Sequence, residues 1–261
     1  DELEYSEIGV NGFKLKNKVA VITGTTRGLG QSLAEALAQA GASVVSLDRS
    51  QNDYLPDYCS SLGVKFKRIK IDLLQASEAD LEKVVDSVMD DFARIDILVN
   101  NAGISRRGEV EDFKEEDWLD VLRVNLSTPF HLSKIVSKYF IEQRSGKIIN
   151  IASMLSFQGG LRVPSYAASK HGIVGLTKSF ANGLAPYSIN VNAIAPGFMA
   201  TDLTLPLQQD KDRNDLILKR IPMGRWGNGN DLKGALIFLA SSMSDYVNGV
   251  VIPVDGGWLS M

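Results

Sequence analysis

The chain of 261 residues is 44% hydrophobic and carries a formal net charge of -3, which allows one sizeable core, or at most two small ones. Its acids and bases are interspersed with no basic run able to follow a phosphate backbone, so nucleic acid is excluded as an expected partner. One cysteine, Cys59, excludes an intrachain disulfide, and two histidines, His131 and His171, outside any ligand-spaced cluster predict that there is no metal.

The acidic start "DELEYSEIG" lacks the basic-then-apolar order of a signal peptide, and no apolar stretch reaches the ~18 to 20 residues of a bilayer span. A soluble, cytoplasmic protein with no membrane partner is expected. Residues 1–17 read as an N-terminal extension ahead of a single domain, 18–261. Within it, short β-rich runs at 18–23, 42–48, 64–72, 95–100, 146–153, 189–196 and 250–255 alternate with longer segments of helical period, such as "GQSLAEALAQAG" at 30–41. Several runs are almost continuously apolar, as parallel strands covered on both faces require. The alternation predicts an α/β fold of the Rossmann type, a doubly wound sheet of seven parallel strands. Residues 201–228 break the pattern after the sixth run. They read as a loop-and-helix lid over the strand ends, or as a passive surface insertion.

"TGTTRGLG" (23–30) follows the first strand and opens the first helix, spacing Gly24, Gly28 and Gly30 as GxxxGxG. Such glycines permit a tight turn and close approach of a pyrophosphate to a helix N-terminus. Asp48 ends the second strand, where a carboxylate accepts hydrogen bonds from the adenosine ribose, favouring NAD. Arg27 and Arg49 are the two cations that would neutralise a 2′-phosphate and admit NADP, or else sit solvated against the adenine. Asp72, ending the third run, is placed for the adenine amino group. In "NNAG" (100–103) Asn101 is expected to satisfy backbone groups between strands, while Gly103 lets the ribose pass.

Tyr166 and Lys170, in "PSYAASKHG", are four residues apart and share a helix face. Alone, this pair is as compatible with a solvated helix as with catalysis. Ser153 at the end of the fifth strand and Asn125 inside the apolar "VLRVNLSTPFHLS" (121–133) give it company. With TGTTRGLG, NNAG, "PG" (196–197) and "VDGG" (254–257) in order, the chain resembles the classical short-chain dehydrogenase/reductase family over nearly its whole length.

The resemblance implies an NAD(P)-dependent oxidoreductase in which Tyr166 is general acid or base, and Ser153 holds the substrate oxygen. Lys170 would lower the Tyr166 pKa from ~10 by about three, roughly 4 kcal/mol of differential stabilisation, and bind the nicotinamide ribose. Asn125 would position a water linking Lys170 to solvent. Leu29, Leu73, Ala102, Pro196, Gly197 and Thr201 would line the cofactor. A homotetramer built through helices around 111–142 and 166–185 and the last strand is also implied.

Segments 146–170, 220–227 and 240–259 resemble family members acting on keto-deoxy sugar acids such as 2-dehydro-3-deoxy-D-gluconate; a polyol or ketose is the alternative, and a non-catalytic dinucleotide sensor lies further off. A sugar acid wants arginine for its carboxylate. Arg106, Arg107 and Arg162 are the candidates, each equally suited to surface solvation. Gln158, Met154 and Trp226 would shape the pocket, the last two reading better as core.

Overall fold

The structure, a computed structural model, describes residues 10–202 and 204–261; the reading of the acidic start falls on residues 1–9, outside the described residues. Seven strands form where the β-rich runs predict them, most trimmed at one or both ends: β1 (Val19–Thr23), β2 (Ser43–Asp48), β3 (Phe66–Lys70), β4 (Ile97–Asn100), β5 (Gly146–Ile151), β6 (Ile189–Pro196) and β7 (Val251–Val254). They make one sheet, ordered β3-β2-β1-β4-β5-β6-β7, with every pairing parallel. The strand order reverses between β1 and β4. In such sheets a crevice opens there, beyond the carboxyl ends of the strands, and it is where ligands bind.

The helices are α1 (Gly28–Gln39), α2 (Tyr54–Ser61), α3 (Glu78–Phe92), α4 (Glu115–Leu122), α5 (Thr128–Gln143), α6 (Pro164–Leu184), α7 (Leu205–Gln209), α8 (Lys211–Arg220) and α9 (Gly229–Ala240). Strand side chains alternate between faces. Ala20, Ile22, Val44 and Ile149 therefore pack with Leu33, Leu37, Leu232 and Leu236 of α1 and α9 on one side. Val19, Val21, Val45 and Ile148 pack with Val85, Leu132 and Val136 of α3 and α5 on the other. Each such side chain, fully buried, contributes roughly 1.5 to 3 kcal/mol.

The long helix expected around 111–142 is interrupted. Between α4 and α5, residues Arg123–Ser127 form a π turn, in which Thr128 N–H donates to the Arg123 carbonyl five residues back. Pro129 stands at the start of α5 and has no N–H to give the carbonyl of Asn125, so the ordinary four-residue ladder cannot run through this point. The extra residue in the turn is what aims Asn125 inward, where it is 1% exposed.

Candidate active site

The glycine loop joins β1 to α1 at the crevice. Gly24 and Gly28 take φ of +75° and +60°, a left-handed conformation that only glycine adopts cheaply. A Cβ at Gly30 would be driven into the Gly24 carbonyl oxygen. At Gly28 the space is open, with only the Thr201 side chain within 4 Å, at 3.8 Å. Arg27 caps α1 in an extended conformation without a side-chain hydrogen bond, and no acid stands in the first turn. The helix therefore leaves its first N–H groups to an anion. These residues fit the diphosphate of a dinucleotide.

Below the loop, Thr23 Oγ1 accepts from Asn101 N at 3.0 Å and Ala102 N at 2.9 Å, while Asn101 Nδ2 donates to the Thr23 and Gly24 carbonyls, both at 2.9 Å. Asp72 Oδ1 accepts from Leu74 N at 3.1 Å, and the Leu73 carbonyl accepts from Thr128 Oγ1. Leu29 packs at the edge of the α1 core. Gly197 N donates to the Val254 carbonyl at 3.0 Å, and a Cβ there would meet the Asp255 backbone at 2.6 Å. Its smallness thus serves the β6–β7 junction, next to Pro196.

Asp48 departs from its expected orientation. In β2 it shares a face with Val44 and Ser46, the side that α1 covers, so its carboxylate runs under the glycine loop. Oδ1 accepts from Thr25 N at 2.7 Å and Thr26 Oγ1 at 3.1 Å, and Oδ2 accepts from Thr25 Oγ1 at 2.6 Å. The residue is 4% exposed. Its first task is to hold the loop, with one lone pair of Oδ2 left for a ribose hydroxyl. Arg49 is exposed beside it, and Arg27 pairs with Asp202 of the 201–228 segment at 3.4 Å.

The four residues expected to act together converge beyond β4 and β5. Ser153 is the extended N-cap of a tight turn at Met154–Ser156, and its Oγ accepts from Leu155 N at 3.1 Å. Pro164 starts α6, where a proline suits the first position, so Tyr166 and Lys170 lie within its first two turns. The Tyr166 hydroxyl has the Ser153 side chain as its polar neighbour. Lys170 is 4% exposed, its Nζ donating to the Ile151 carbonyl at 2.6 Å and lying 5.6 Å from the Tyr166 ring centroid.

Burial brings Lys170 down from 10.5 to about 8. Burial also pushes the Tyr166 phenol up from 10, opposed by the Ser153 side chain. Desolvation is thus the larger of the two influences on the Tyr166 phenol.

Asn125 is hydrogen-bonded through both polar atoms of its side chain. Its Oδ1 accepts from Ile104 N at 2.9 Å, and its Nδ2 donates to the Ile104 carbonyl at 2.9 Å and to Ser169 Oγ at 3.1 Å. The side chain thus clamps the loop after β4 to α6. The clamp holds Gly103, whose Cα hydrogen side faces both Asn125 Oδ1 and Lys170 Nζ.

The arginines separate. Arg106 pairs with Asp117 and Asp120 of α4, at 3.1 and 3.6 Å, and Arg162 pairs with Glu109. Neither is held free for a substrate. Arg107 has no carboxylate partner among the described residues. Gln158 Oε1 accepts from Arg220 Nη2 at 3.2 Å. Met154 packs with Ile221 and Trp258, while Trp226 packs edge-on against Phe198 and donates to Asn214.

Sequence reasoning missed Thr23, Asn52 and Ser169. Asn52 Nδ2 braces the Thr25 and Thr26 carbonyls at 3.2 and 3.1 Å, and Ser169 Oγ donates to the Tyr166 carbonyl at 2.7 Å. Thr23 and Ser169 directly precede Gly24 and Lys170, a positional signal that was available. Asn52 had none, since it lies in a loop. Among the described residues no helix is long and apolar enough to cross a membrane, and no group of three metal-ligating side chains is gathered.

Comparison with known proteins agrees with this geometry. A family model for short chain dehydrogenase matches residues 18–212. The 2-dehydro-3-deoxy-D-gluconate 5-dehydrogenase of Escherichia coli K12 is 50% identical over 252 residues, spanning 96% of this chain and 99% of that protein. A structure from Agrobacterium tumefaciens, provisionally named a 2-deoxy-D-gluconate 3-dehydrogenase and holding NADP, is 47% identical with a TM-score of 0.89, covering 96% of this chain and all of that one (100%). A gluconate 5-dehydrogenase from Burkholderia cenocepacia, in complex with NADP and tartrate, is 39% identical with a TM-score of 0.91, covering 96% and 98%. A glycine loop at the switch point, a buried Lys170 beneath Tyr166, and similarity along nearly the full chain lead to one conclusion: the chain belongs to the short chain dehydrogenase family and is an NAD(P)-dependent oxidoreductase.

Proposed function

We propose that this enzyme interconverts a secondary alcohol and a ketone on a keto-deoxy sugar acid of the 2-dehydro-3-deoxy-D-gluconate type. The observation that carries the reading is Tyr166 beside Ser153 and over a buried Lys170, whose Nζ lies 5.6 Å from the Tyr166 ring, next to the dinucleotide crevice. NAD(P), when bound, supplies or accepts the hydride.

In the reductive direction Tyr166 gives its phenolic proton to the substrate oxygen, which Ser153 holds in place. The raised Tyr166 pKa keeps that proton available at neutral pH. Lys170 stabilises the phenolate left behind, a proton from Lys170 restores the phenol, and solvent returns a proton to Lys170. Its pKa of about 8 lets it release or take up a proton near physiological pH. In the oxidative direction the same groups act in reverse. Asn125 is a positioning residue: through Ile104 and Ser169 it fixes the backbone on both sides of Lys170.

For the nucleotide, Gly24, Gly28, Gly30, Asn101, Ala102 and Gly103 would frame the diphosphate and ribose, Asp72 and Leu73 the adenine, and Pro196, Gly197 and Thr201 the nicotinamide end. We favour NAD as the preferred cofactor. Asp48 is hydrogen-bonded but has no cationic partner among the described residues, so its charge still acts on a 2′-phosphate. At about 4 Å and an effective dielectric near 20 that repulsion is roughly 4 kcal/mol per unit charge. Arg27 and Arg49 offset part of it, which allows NADP as a second cofactor. A homotetramer would use the apolar groove lined by Leu126 of the π turn, Phe130 of α5 and Leu176 of α6.

Initial rates with 2-dehydro-3-deoxy-D-gluconate-type acids and with alditols, each with NAD and NADP, test the assignment. Activity confined to neutral polyols sinks the sugar-acid reading, and an NADP preference sinks the Asp48 argument.

A further inference from the structure

Arg107, Arg162 and Arg213 come from three segments that meet around the Ser153 loop, and Glu109 stands beside one of them. Arg162 takes that carboxylate. Arg107 and Arg213 have no carboxylate partner among the described residues, although Arg213 is half-buried. Arg107 is lowered chiefly by its own desolvation and then by the positive charges of Arg213 and Arg162.

Independent contacts bring their elements together. Gly108 N donates to the Arg162 carbonyl at 3.1 Å, zipping the loop after β4 to the loop between Ser153 and Tyr166. Helix α8 docks on the same loop. Arg220 donates to Gln158 and lies 4.0 Å over the Trp258 ring, and Ile217 packs on the cluster of Met154, Ile221 and Trp258. Arg213, Ile217 and Arg220 recur at i, i+4 and i+7, one face of a helix. The face that touches the Ser153 loop is therefore the face that carries Arg213, two turns further toward the helix start.

We propose that Arg213, delivered by the lid helix, and Arg107, from the loop after β4, close on the substrate carboxylate from two sides while its reacting oxygen lies on Ser153 and Tyr166. This rests on the sugar-acid reading above. A surplus of guanidinium groups without counter-ions is costly in the free enzyme and is relieved by an anion. Arginine's planar fork suits a carboxylate. Residues 201–228 are on this view part of the specificity apparatus, and acid recognition depends on the lid being in place.

The test is steady-state kinetics of Arg107→Met, Arg213→Met and Arg213→Lys on 2-dehydro-3-deoxy-D-gluconate and on its uncharged primary amide. Losing a charge-assisted pair should raise KM for the acid by at least about tenfold in each Met variant. kcat and the amide KM should stay close to wild type, and Arg213→Lys should recover part of the loss. An acid KM within about twofold of wild type in Arg213→Met, or equal losses on acid and amide, overturns the clamp. Wild-type enzyme that uses the amide as well as the acid instead overturns the sugar-acid reading.

Discussion

Lys170 offers a measurement that isolates one buried charge. Its pKa falls from 10.5 to about 8 because it is buried, a difference of about 3.4 kcal/mol at ~1.36 kcal/mol per pKa unit. The group is 4% exposed, so solvent screening takes little from that figure. The folded-state pKa lies below the unfolded one, so between about pH 8 and 10.5 the unfolded chain binds more protons than the folded chain, and stability rises with pH.

From pH 7 to 9.5 the linkage gives a gain of about 2 kcal/mol from this one residue. The window stops at 9.5 because Tyr166, whose folded pKa is raised, contributes in the opposite sense once unfolded tyrosine ionises near 10. Urea denaturation of the cofactor-free protein at half-unit steps of pH, for wild type and Lys170→Met, should show the difference between the two curves shifting toward wild type by about 2 kcal/mol. Parallel curves would refute the idea that Lys170 is held at a desolvation cost. A constant offset from the lost Ile151 hydrogen bond leaves that slope unchanged.

Tyr166→Phe should lower turnover by about 10²- to 10⁴-fold, the usual worth of a positioned proton donor, while cofactor affinity by fluorescence titration stays within about twofold. Gly30→Ala should cost roughly 3 kcal/mol or more in thermal denaturation, since the methyl has no room beside the Gly24 carbonyl, and cofactor binding should weaken with it; an unchanged melting temperature would show that the loop yields.

The strands were legible because their signal is local. "VAVI" (19–22) is apolar on both faces, which a sheet sandwiched between helices accommodates. Tyr166 and Lys170 were legible because a four-residue helical spacing survives any tertiary context. Asp48 was not. Its place at the end of a strand could be read, but which face it takes depends on register, and whether Thr25 and Thr26 claim its oxygens depends on the path of a loop. Asn125 was found, but its clamp on Ile104 was not, because the π turn that aims it arises from a missing N–H at Pro129 four residues away. Arg213 escaped notice since a helix as polar as "KDRNDLILKR" shows little apolar period. Its inward face appears only once Ile217 and Arg220 have contacts.

The π turn has a consequence for anyone exchanging parts between relatives. It acts as a phase marker, because the helix before it and the helix after it are offset by about one residue, or about 100° of rotation. Deleting a single residue from 123–127 would remove the residue that widens the turn while Pro129 still withholds its hydrogen bond, so α5 could keep Leu132, Val136 and Phe140 on the sheet only by moving Asn125. A chimera joined inside this stretch therefore inherits either a misplaced Asn125 or a misfaced α5, whereas junctions in the loops before α4 and after α5 carry the offset across intact.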